Sequence, residues 1–377
     1  MSKRKLLQLL ALLLTFGLLA AACGDSDGDD TTATSAADTG GTDADDTTTT
    51  VELAQAEGGL LEAIIDRGTL NCGVSGSAVA FSETQPDGSV VGFDADYCRV
   101  VAAAILGDAT AVNFVSLTAA ERFTAVQTGA VDVLMRNTTW TQSRDSEIGM
   151  DFGPTTYYDG QQFMGRAADG FSTSSTINDI DGLTSCTSSG TTTEKNVADA
   201  ADAAGITVEL GGPFEDFDQV TQAFIDGTCD VITTDGSGLV GRAAVNQPND
   251  WVIFPATPIS KEPLGPTYGQ NDSAFADVVN WAVYATIIAD ENGVNMGNAA
   301  DMAANPPTAE IGRLLGGDGE LQSGMGIPAD AFLQVISQVG NYDEIYVRSL
   351  GPVGLVREGS ANAGWLDGGL IYAPPSR

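Results

Sequence analysis

Val112–Arg144 reads VNFVSLTAAERFTAVQTGAVDVLMRNTTWTQSR, and the order of signals within it decides the fold. Val112–Val115 predicts a short strand. Thr118-Ala-Ala-Glu121 has the spacing of a capping box, and the helix it starts should run to Thr128 and stop at Gly129. Val131–Met135 predicts the next strand. Short apolar strands alternating with helices belong to an α/β fold with a mainly parallel sheet. The strand then opens into Arg136-Asn-Thr-Thr-Trp-Thr-Gln-Ser-Arg144. In open α/β sheets, ligands bind outside the carboxyl ends of the strands.

The same grammar extends on both sides. Leu60, Leu61, Ile64 and Ile65 have helical spacing and are stopped by Gly68. Thr69–Val74 predicts a strand, Pro86-Asp87-Gly88 a turn, and Asp94 a cap for a helix reaching about Ile105. Further on, strand Leu183–Thr187 leads to Gly190-Thr-Thr-Thr-Glu194, where Thr191 and Glu194 again have capping-box spacing. The helix should end at Gly205, before strand Thr207–Leu210. Phe224-Ile-Asp-Gly227 closes another helix and leads into Cys229-Asp-Val-Ile-Thr233. Gly129-Ala-Val-Asp132-Val-Leu134 and Gly227-Thr-Cys-Asp230-Val-Ile232 share one pattern: helix stop, two residues, Asp, apolar strand. The echo suggests two lobes of similar topology, with Asp132 and Asp230 serving turns or strand starts.

The two strand ends differ in chemistry. The first offers guanidinium, amide, hydroxyl and indole groups in Arg136, Asn137, Thr139, Trp140 and Arg144, and the second offers the carboxylate of Asp235. The capped helix near Thr192 adds backbone N–H groups suited to an anion. A cation site facing an anion site is what an α-amino acid zwitterion needs, with Arg as a planar fork for carboxylate and Asp for ammonium. Charged hydrogen bonds contribute about 1.5–3 kcal/mol each. Three or four would account for much of a micromolar affinity, about 8 kcal/mol.

Composition removes many alternatives. The 377 residues hold 51 acids against 16 bases, a net charge of −35, and no histidine. That balance argues against a nucleic-acid partner, and the missing imidazole excludes His-dependent triads and His-ligated metal sites. Lys3, Arg4 and Lys5 precede an apolar run from Leu6 to Ala22, ending in Ala-Ala-Ala-Cys23. This describes a secretory signal peptide over residues 1–22. Residues 24–56 are mostly Thr, Asp, Ala and Gly and should form an extended, solvated tether. Export makes Cys72, Cys98, Cys186 and Cys229 disulfide candidates. Of the three connectivities four cysteines allow, Cys72–Cys98 and Cys186–Cys229 keep each bridge within one predicted folding unit. By loop entropy they would contribute roughly 3.5 and 4 kcal/mol.

At these residues the chain resembles the extracytoplasmic solute-binding proteins of polar and general amino-acid ABC importers, above all their general L-amino-acid-binding branch. The likeness runs from about Leu60 to the C-terminus. It rests on Gly92-Phe-Asp-Ala-Asp-Tyr-Cys98, Asp132–Arg144, Tyr157-Tyr-Asp-Gly-Gln161, Gly190-Thr-Thr-Thr-Glu194, Cys229-Asp-Val-Ile-Thr-Thr-Asp235, Ile259-Ser-Lys-Glu-Pro-Leu-Gly265, Gly340-Asn-Tyr342 and the ending Gly368–Pro375. The signal peptide resembles the lipoprotein type, with Ala20 where Leu is usual and Cys23 as the lipid-bearing N-terminus.

The resemblance implies a two-lobed periplasmic-binding-protein fold (type II) that closes by a hinge. Its two crossover segments would lie near Tyr158–Gln161 and Ser260–Pro263. Lobe 1 would hold residues 57–160 and 263–377, and lobe 2 residues 161–262. Arg144 would hold the ligand α-carboxylate with Thr139 and Thr192, Asp235 would hold the ammonium, and Asn137 and Trp140 would line the cleft. Arg136 could recognise an acidic side chain or neutralise nearby Asp residues. Relatives often stack an aromatic of the first loop on the ligand; here Ser75–Phe81 is small except for Phe81, so a roomy pocket is expected. No cofactor or metal is implied. The expected protein is a monomeric, lipid-anchored, extracytoplasmic receptor that passes amino acids to an ABC permease. The rival is an amino-acid dehydratase on the same scaffold, with Glu83 or Asp235 as general acid.

Overall fold

The computed structural model describes residues 59–377, apart from 247, 249 and 318. The expected signal peptide, Cys23 and the tether lie outside the described residues. The chain begins with α1 (Gly59–Arg67) and β1 (Leu70–Val74), then a small antiparallel sheet of β2 (Ser77–Ala78), β3 (Ser82–Thr84) and β4 (Val90–Val91). There follow α2 (Phe93–Leu106), β5 (Val112–Ser116), α3 (Arg122–Gln127), β6 (Val133–Leu134), α4 (Gln142–Ser146), β7 (Met150–Phe152), β8 (Tyr157–Asp159) and β9 (Gln161–Arg166). Next come β10 (Thr184–Cys186), α5 (Thr192–Ala204), β11 (Glu209–Gly211), α6 (Phe217–Ile225), β12 (Val231–Asp235), α7 (Gly236–Asn246) and β13 (Trp251–Phe254). The chain then forms β14 (Glu262–Leu264), β15 (Thr267–Gly269), α8 (Ser273–Glu291), and helices α9 (Ala299–Ala304), α10 (Ala309–Leu314), α11 (Glu320–Gly324), α12 (Ala331–Gln338) and α13 (Tyr342–Leu350).

Two five-stranded sheets organise these elements, in the orders β5-β1-β6-β15-β7 and β11-β10-β12-β9-β13. The sheets are equivalent: two parallel pairs where helices carry the crossovers, then two antiparallel pairs. Parallel pairing needs a long crossover, and α2, α3, α5 and α6 supply it. The sheets are therefore mixed rather than mainly parallel: β15 runs antiparallel to both β6 and β7, and β9 to both β12 and β13.

The echoed Asp residues do the same work in both sheets. Asp132 accepts from Asn71 N at 2.7 Å and pairs with Arg67, while Asp230 accepts from Thr184 N at 2.8 Å. Each carboxylate staples the start of a parallel strand to its neighbour. Disulfides Cys72–Cys98 and Cys186–Cys229 tie β1 to α2 and β10 to the residue two before β12, with Cα–Cα distances of 6.0 and 5.9 Å.

Local starts differ from the sequence patterns. Thr118 and Glu121 do exchange reciprocal bonds (Glu121 N to Thr118 Oγ1, 3.3 Å; Thr118 N to Glu121 Oε2, 3.1 Å), but regular helix begins only at Arg122. Asp94 is not the cap of α2. Gly92 is, at φ 124°, where a Cβ would strike the Phe81 carbonyl; this frees the Asp94 carboxylate to accept from Asn137 N at 2.9 Å. At α5, Thr191 caps Glu194 N, but the Glu194 carboxylate reaches Gly190 N instead of closing the box.

The larger core lies around the first sheet. The apolar faces of α2, α8, α12 and α13 pack together there, and Phe93 meets Phe81, Tyr97, Tyr157, Tyr342 and Tyr346 at centroid distances of 5.1–6.2 Å. The second sheet has smaller cores, one around Phe224 and Leu239 and one around Phe163 and Phe254. Between the sheets, β8 and β14 pair antiparallel with Glu262 opposite Asp159. Gly160 follows at once, with Gly236 N donating to its carbonyl at 2.9 Å. A Cβ on Gly160 would stand 2.5 Å from Pro258 Cβ and 2.7 Å from the Ser260 carbonyl, so glycine lets the two segments pass here.

Candidate ligand-binding cleft

The parallel strands of both sheets point their carboxyl ends into one cleft. From the first sheet come the β1–β3 segment (Ser75, Ser77 to Val79, Phe81), Arg122, and the Arg136-Asn137-Thr139 run after β6. From the second come Ser188, the α5 start at Thr191–Thr193, and Asp235 with Ser237 where β12 passes into α7. Phe81 turns its ring into the aromatic core, 5.3 Å from Tyr157, which leaves small side chains along that wall.

Asp235 is the open acceptor of this cleft. Its carboxylate accepts no hydrogen bond among the described residues. Burial pushes its pKa well above the usual carboxylate range, reinforced by the nearby charges of Asp159 and Glu262 and opposed by Arg144 and Arg122. Asp159 behind it is held by Ser237 and by Gly160 N, yet burial still raises it to about 6.

Two buried guanidinium groups, of Arg122 and Arg144, and the half-buried one of Arg136 stand near these acids. Arg144 donates Nη1 to the Thr139 carbonyl at 2.7 Å and lies over the Phe123 ring at 5.2 Å. Burial lowers its pKa to about 10 against the opposing pull of Glu262 and Asp235. It stands behind the cleft lining. Arg136 donates Nε to the Leu117 carbonyl at 2.8 Å and is likewise lowered to about 10 by burial, with Asp94 its main favourable neighbour. Asp94 is itself raised to about 6 by burial. Arg122 is 2% exposed, sits over the Phe123 ring at 4.9 Å, and its Nε has no hydrogen-bond partner among the described residues. Asn137, at φ 41°, lines the cleft with a buried Oδ1 that is also unpartnered.

The other predicted residues fall differently. Thr139 and Thr192 line the cleft, 3.4 Å apart across it, but both hydroxyls donate to one acceptor, Glu262 Oε2, at 2.6 and 2.9 Å. Glu262 Oε1 accepts from Asn196 Nδ2 at 2.8 Å and Ser260 Oγ at 2.6 Å. The anion drawn to the first turn of α5 is thus the protein's own carboxylate, 1% exposed. Trp140 is 45% exposed, stacks on Phe152 at 5.8 Å, donates Nε1 to Asp145, and does not line the cleft. Its indole found apolar cover on β7 instead. Glu83, the rival general acid, lies in a separate groove with Asp96 and Arg99.

Sequence reasoning passed over Arg122 and Glu262. Arg122 stands inside Glu121-Arg122-Phe123, where the capping pattern of Glu121 drew the reading. Glu262 stands in Ser260-Lys-Glu-Pro263, a segment read as a crossing and as part of the family resemblance but given no site residue. Among the described residues there is no cluster of three or more potential metal-binding acids or cysteines, and no helix is long and apolar enough to cross a membrane.

Two equivalent sheets facing a polar cleft, with paired strands between them, define a two-lobed periplasmic-binding-protein fold of the α/β class. The chain belongs to the bacterial extracellular solute-binding proteins, family 3, whose family model matches residues 70–351. It is 42% identical over 317 residues to the general L-amino acid-binding periplasmic protein AapJ of Rhizobium johnstonii, covering 82% of this chain and 91% of that one. It is 41% identical over 326 residues to the glutamate/glutamine/aspartate/asparagine-binding protein BztA of Rhodobacter capsulatus, covering 85% and 94%. Among solved structures it is similar to an ABC transporter periplasmic binding protein from Brucella ovis with glutathione bound. That match has 42% identity and a TM-score of 0.80, and covers 84% of this chain and 99% of that one. The chain is a binding protein of this family, not an enzyme.

Proposed function

We propose that the protein is a receptor that captures L-amino acids in the cleft and delivers them to an ABC permease. The observation that carries this is the Asp235 carboxylate, open to the cleft and without a hydrogen-bond donor, opposite buried guanidinium groups at the strand ends of the other sheet. Asp235 would take the α-ammonium. Arg144, which does not itself line the cleft here, would take the α-carboxylate when the ligand draws the lobes together, since Nη1 to Thr139 is the only hydrogen bond from its guanidinium among the described residues. Asn137 would add polar contacts from Nδ2 and Oδ1. The relatives named as amino-acid-binding proteins support the ligand class.

In this reading residues 57–160 and 263–377 form lobe 1, residues 161–262 form lobe 2, and the crossings at Tyr158–Gln161 and Ser260–Pro263 are the hinge. A ligand drives closure only through its differential affinity for the closed form, and contacts from both lobes supply that difference. The receptor would act as a monomer outside the cytoplasm, held to the membrane by a lipid on Cys23. Labelling with radioactive palmitate, lost on Cys23→Ala, tests the anchor. For the ligand, thermal shift against the twenty L-amino acids and their decarboxylated or deaminated analogues is decisive. Stabilisation of about 2.7 kcal/mol is expected at a hundredfold excess over Kd, and it should vanish with either analogue. No response after stripping bound ligand by unfolding and refolding would refute the reading.

A further inference from the structure

Residues 357–373, near the end of the chain, take no part in the cleft lining and fold into a loop closed on itself. Leu370 N donates to the Ala361 carbonyl at 2.8 Å, Trp365 N to the Ile371 carbonyl at 2.9 Å, and Ile371 N to the Ala363 carbonyl at 3.2 Å. Ala363, Ile371 and Ala373 are buried. Arg357 fastens the loop to the body around the first sheet. Its Nη1 donates to Asp343 on α13 at 2.8 Å and its Nη2 to Asp290 on α8 at 2.6 Å.

This loop presents Asn362, which is 3% exposed. Asn362 Oδ1 accepts from Tyr158 N at 2.7 Å, and its Nδ2 donates to the Tyr158 carbonyl at 3.1 Å. Its own carbonyl accepts from Arg357 Nε at 3.2 Å and its N–H donates to Ser360 Oγ at 3.1 Å, so the carboxamide is held in place from behind. Tyr158 is the middle residue of β8 and stands opposite Pro263 of β14. Proline has no N–H to share, and the N–H and C=O of Tyr158 turn to the outer edge of this two-stranded ribbon. An open edge leaves such groups unpaired; the Asn362 carboxamide meets both, as the peptide of a third strand would. The other edge is held as well: Trp140 N donates to the Pro263 carbonyl at 2.9 Å, and Thr139 bridges to Leu264. The next residues along the two crossings are those around Gly160 and Ser260, where the segments pass at close range.

We infer that Asn362 is a positioning residue for lobe closure: it clamps the near end of the first crossing, so that bending is confined to the residues after Tyr158. The inference rests on the reading above that the two crossings are the hinge. Closed on a ligand, the crossing is restrained by contacts from both lobes whether Asn362 is present or not. In the open form the clamp is the restraint. Its loss therefore adds freedom to the open form, and binding must remove that freedom whatever the ligand's side chain.

The test uses Asn362→Ala and Asn362→Asp in the purified full chain, stripped of bound ligand. Tyr158 is half-buried, so water can replace the carboxamide in the first variant; the second keeps an acceptor for Tyr158 N and loses the donor. Small-angle X-ray scattering reports the ligand-free opening, and calorimetry reports affinity for each of the twenty L-amino acids that the wild type binds. Asn362→Ala should enlarge the ligand-free radius of gyration. It should weaken every ligand by one common factor of about fivefold, which corresponds to ordering roughly one further backbone residue on closure. Asn362→Asp should fall between Asn362→Ala and the wild type in both measurements. A lowered melting temperature with unchanged scattering and affinity would make Asn362 a packing residue and overturn the inference. A loss confined to some ligands would place its effect in the cleft and overturn it too, as would failure of both variants to fold. A wild type that binds no L-amino acid defeats the amino-acid reading alone, because the scattering comparison still decides whether Asn362 restrains the opening.

Discussion

Glu262→Gln separates closure from folding. The Glu262 carboxylate joins three parts of the molecule: Thr139 after β6, Thr192 and Asn196 on α5, and Ser260 in the segment before β14, at 2.6, 2.9, 2.8 and 2.6 Å. Gln keeps the shape and removes the charge. Its amide carbonyl still accepts two bonds, and its NH2 can donate to hydroxyls that rotate to accept, so no buried donor need be stranded. Each bond then changes from charge-assisted to neutral, a loss of about 1 kcal/mol. Glu262 falls in the lobe of residues 161–262 with Thr192, Asn196 and Ser260, so the one bond of the four that would break on opening is that from Thr139, in the lobe carrying the first sheet. The expected loss of affinity is therefore about 1 kcal/mol, roughly fivefold. Removal of a desolvated charge offsets part of the cost within the fold, so ligand-free stability should fall by about 1 kcal/mol or less. The assay is urea unfolding of the ligand-free variant beside calorimetric titration of the best amino-acid ligand. Wild-type affinity with wild-type stability would refute the argument. A large loss of ligand-free stability with unchanged affinity would make Glu262 a folding residue and refute the closure role.

Other outcomes follow from the same contacts. Asp159 is raised to about 6 and Asp235 is raised as well, so the folded ligand-free protein binds more protons than the unfolded chain from about pH 4 up through those values. Its stability should fall as pH rises through that window. Ligand ammonium favours ionised Asp235, so affinity should rise over the same range with release of protons, measurable by calorimetry in buffers of different ionisation enthalpy; pH-independent affinity would count against Asp235. Trp140→Phe should change ligand affinity by less than about twofold, because the indole stacks on Phe152 outside the cleft and remote surface changes are usually small. Replacing both Cys186 and Cys229 by Ala should cost about 4 kcal/mol in urea unfolding by the loop-entropy estimate for a separation of 43 residues; a loss below about 1 kcal/mol would show that the loop is constrained without the bridge.

Local chemistry made the α/β order legible. Gly129 and Gly205 stop helices wherever the chain is read, and they did so at φ 70° and 69°. The repeated Asp before β6 and β12 announced two similar units, because a carboxylate there staples a backbone N–H of the adjacent strand in each. Sheet composition was less legible. A strand's direction is set by where the chain comes from, and nothing in Thr267–Gly269 or Gln161–Arg166 records that each enters its sheet antiparallel. Helix starts shifted for a related reason. Gly92 adopts a φ closed to other residues and takes over the cap, so Asp94 is left for a long-range bond to Asn137 N.

The cleft was legible where charge stands at a strand end, as at Asp235 and the Arg136–Arg144 run. It was illegible where a polar residue's partner is remote in sequence. Glu262 shows the reason most clearly. Its donors lie 123, 70, 66 and 2 residues away, and only their convergence distinguishes it from any surface glutamate. The hydroxyls of Thr139 and Thr192 carried the signature of an anion site, and an anion is there, supplied by the chain. That substitution of an internal carboxylate for an expected external one has a consequence for the ligand. The Thr139 and Thr192 hydroxyl protons are spent on Glu262, so each can offer the ligand only a lone pair. Carboxylate recognition then falls on guanidinium groups and backbone N–H, while the two threonines suit an ammonium or an amide N–H. A cleft arranged in this way separates its ligands by the placement of their charges before it separates them by size.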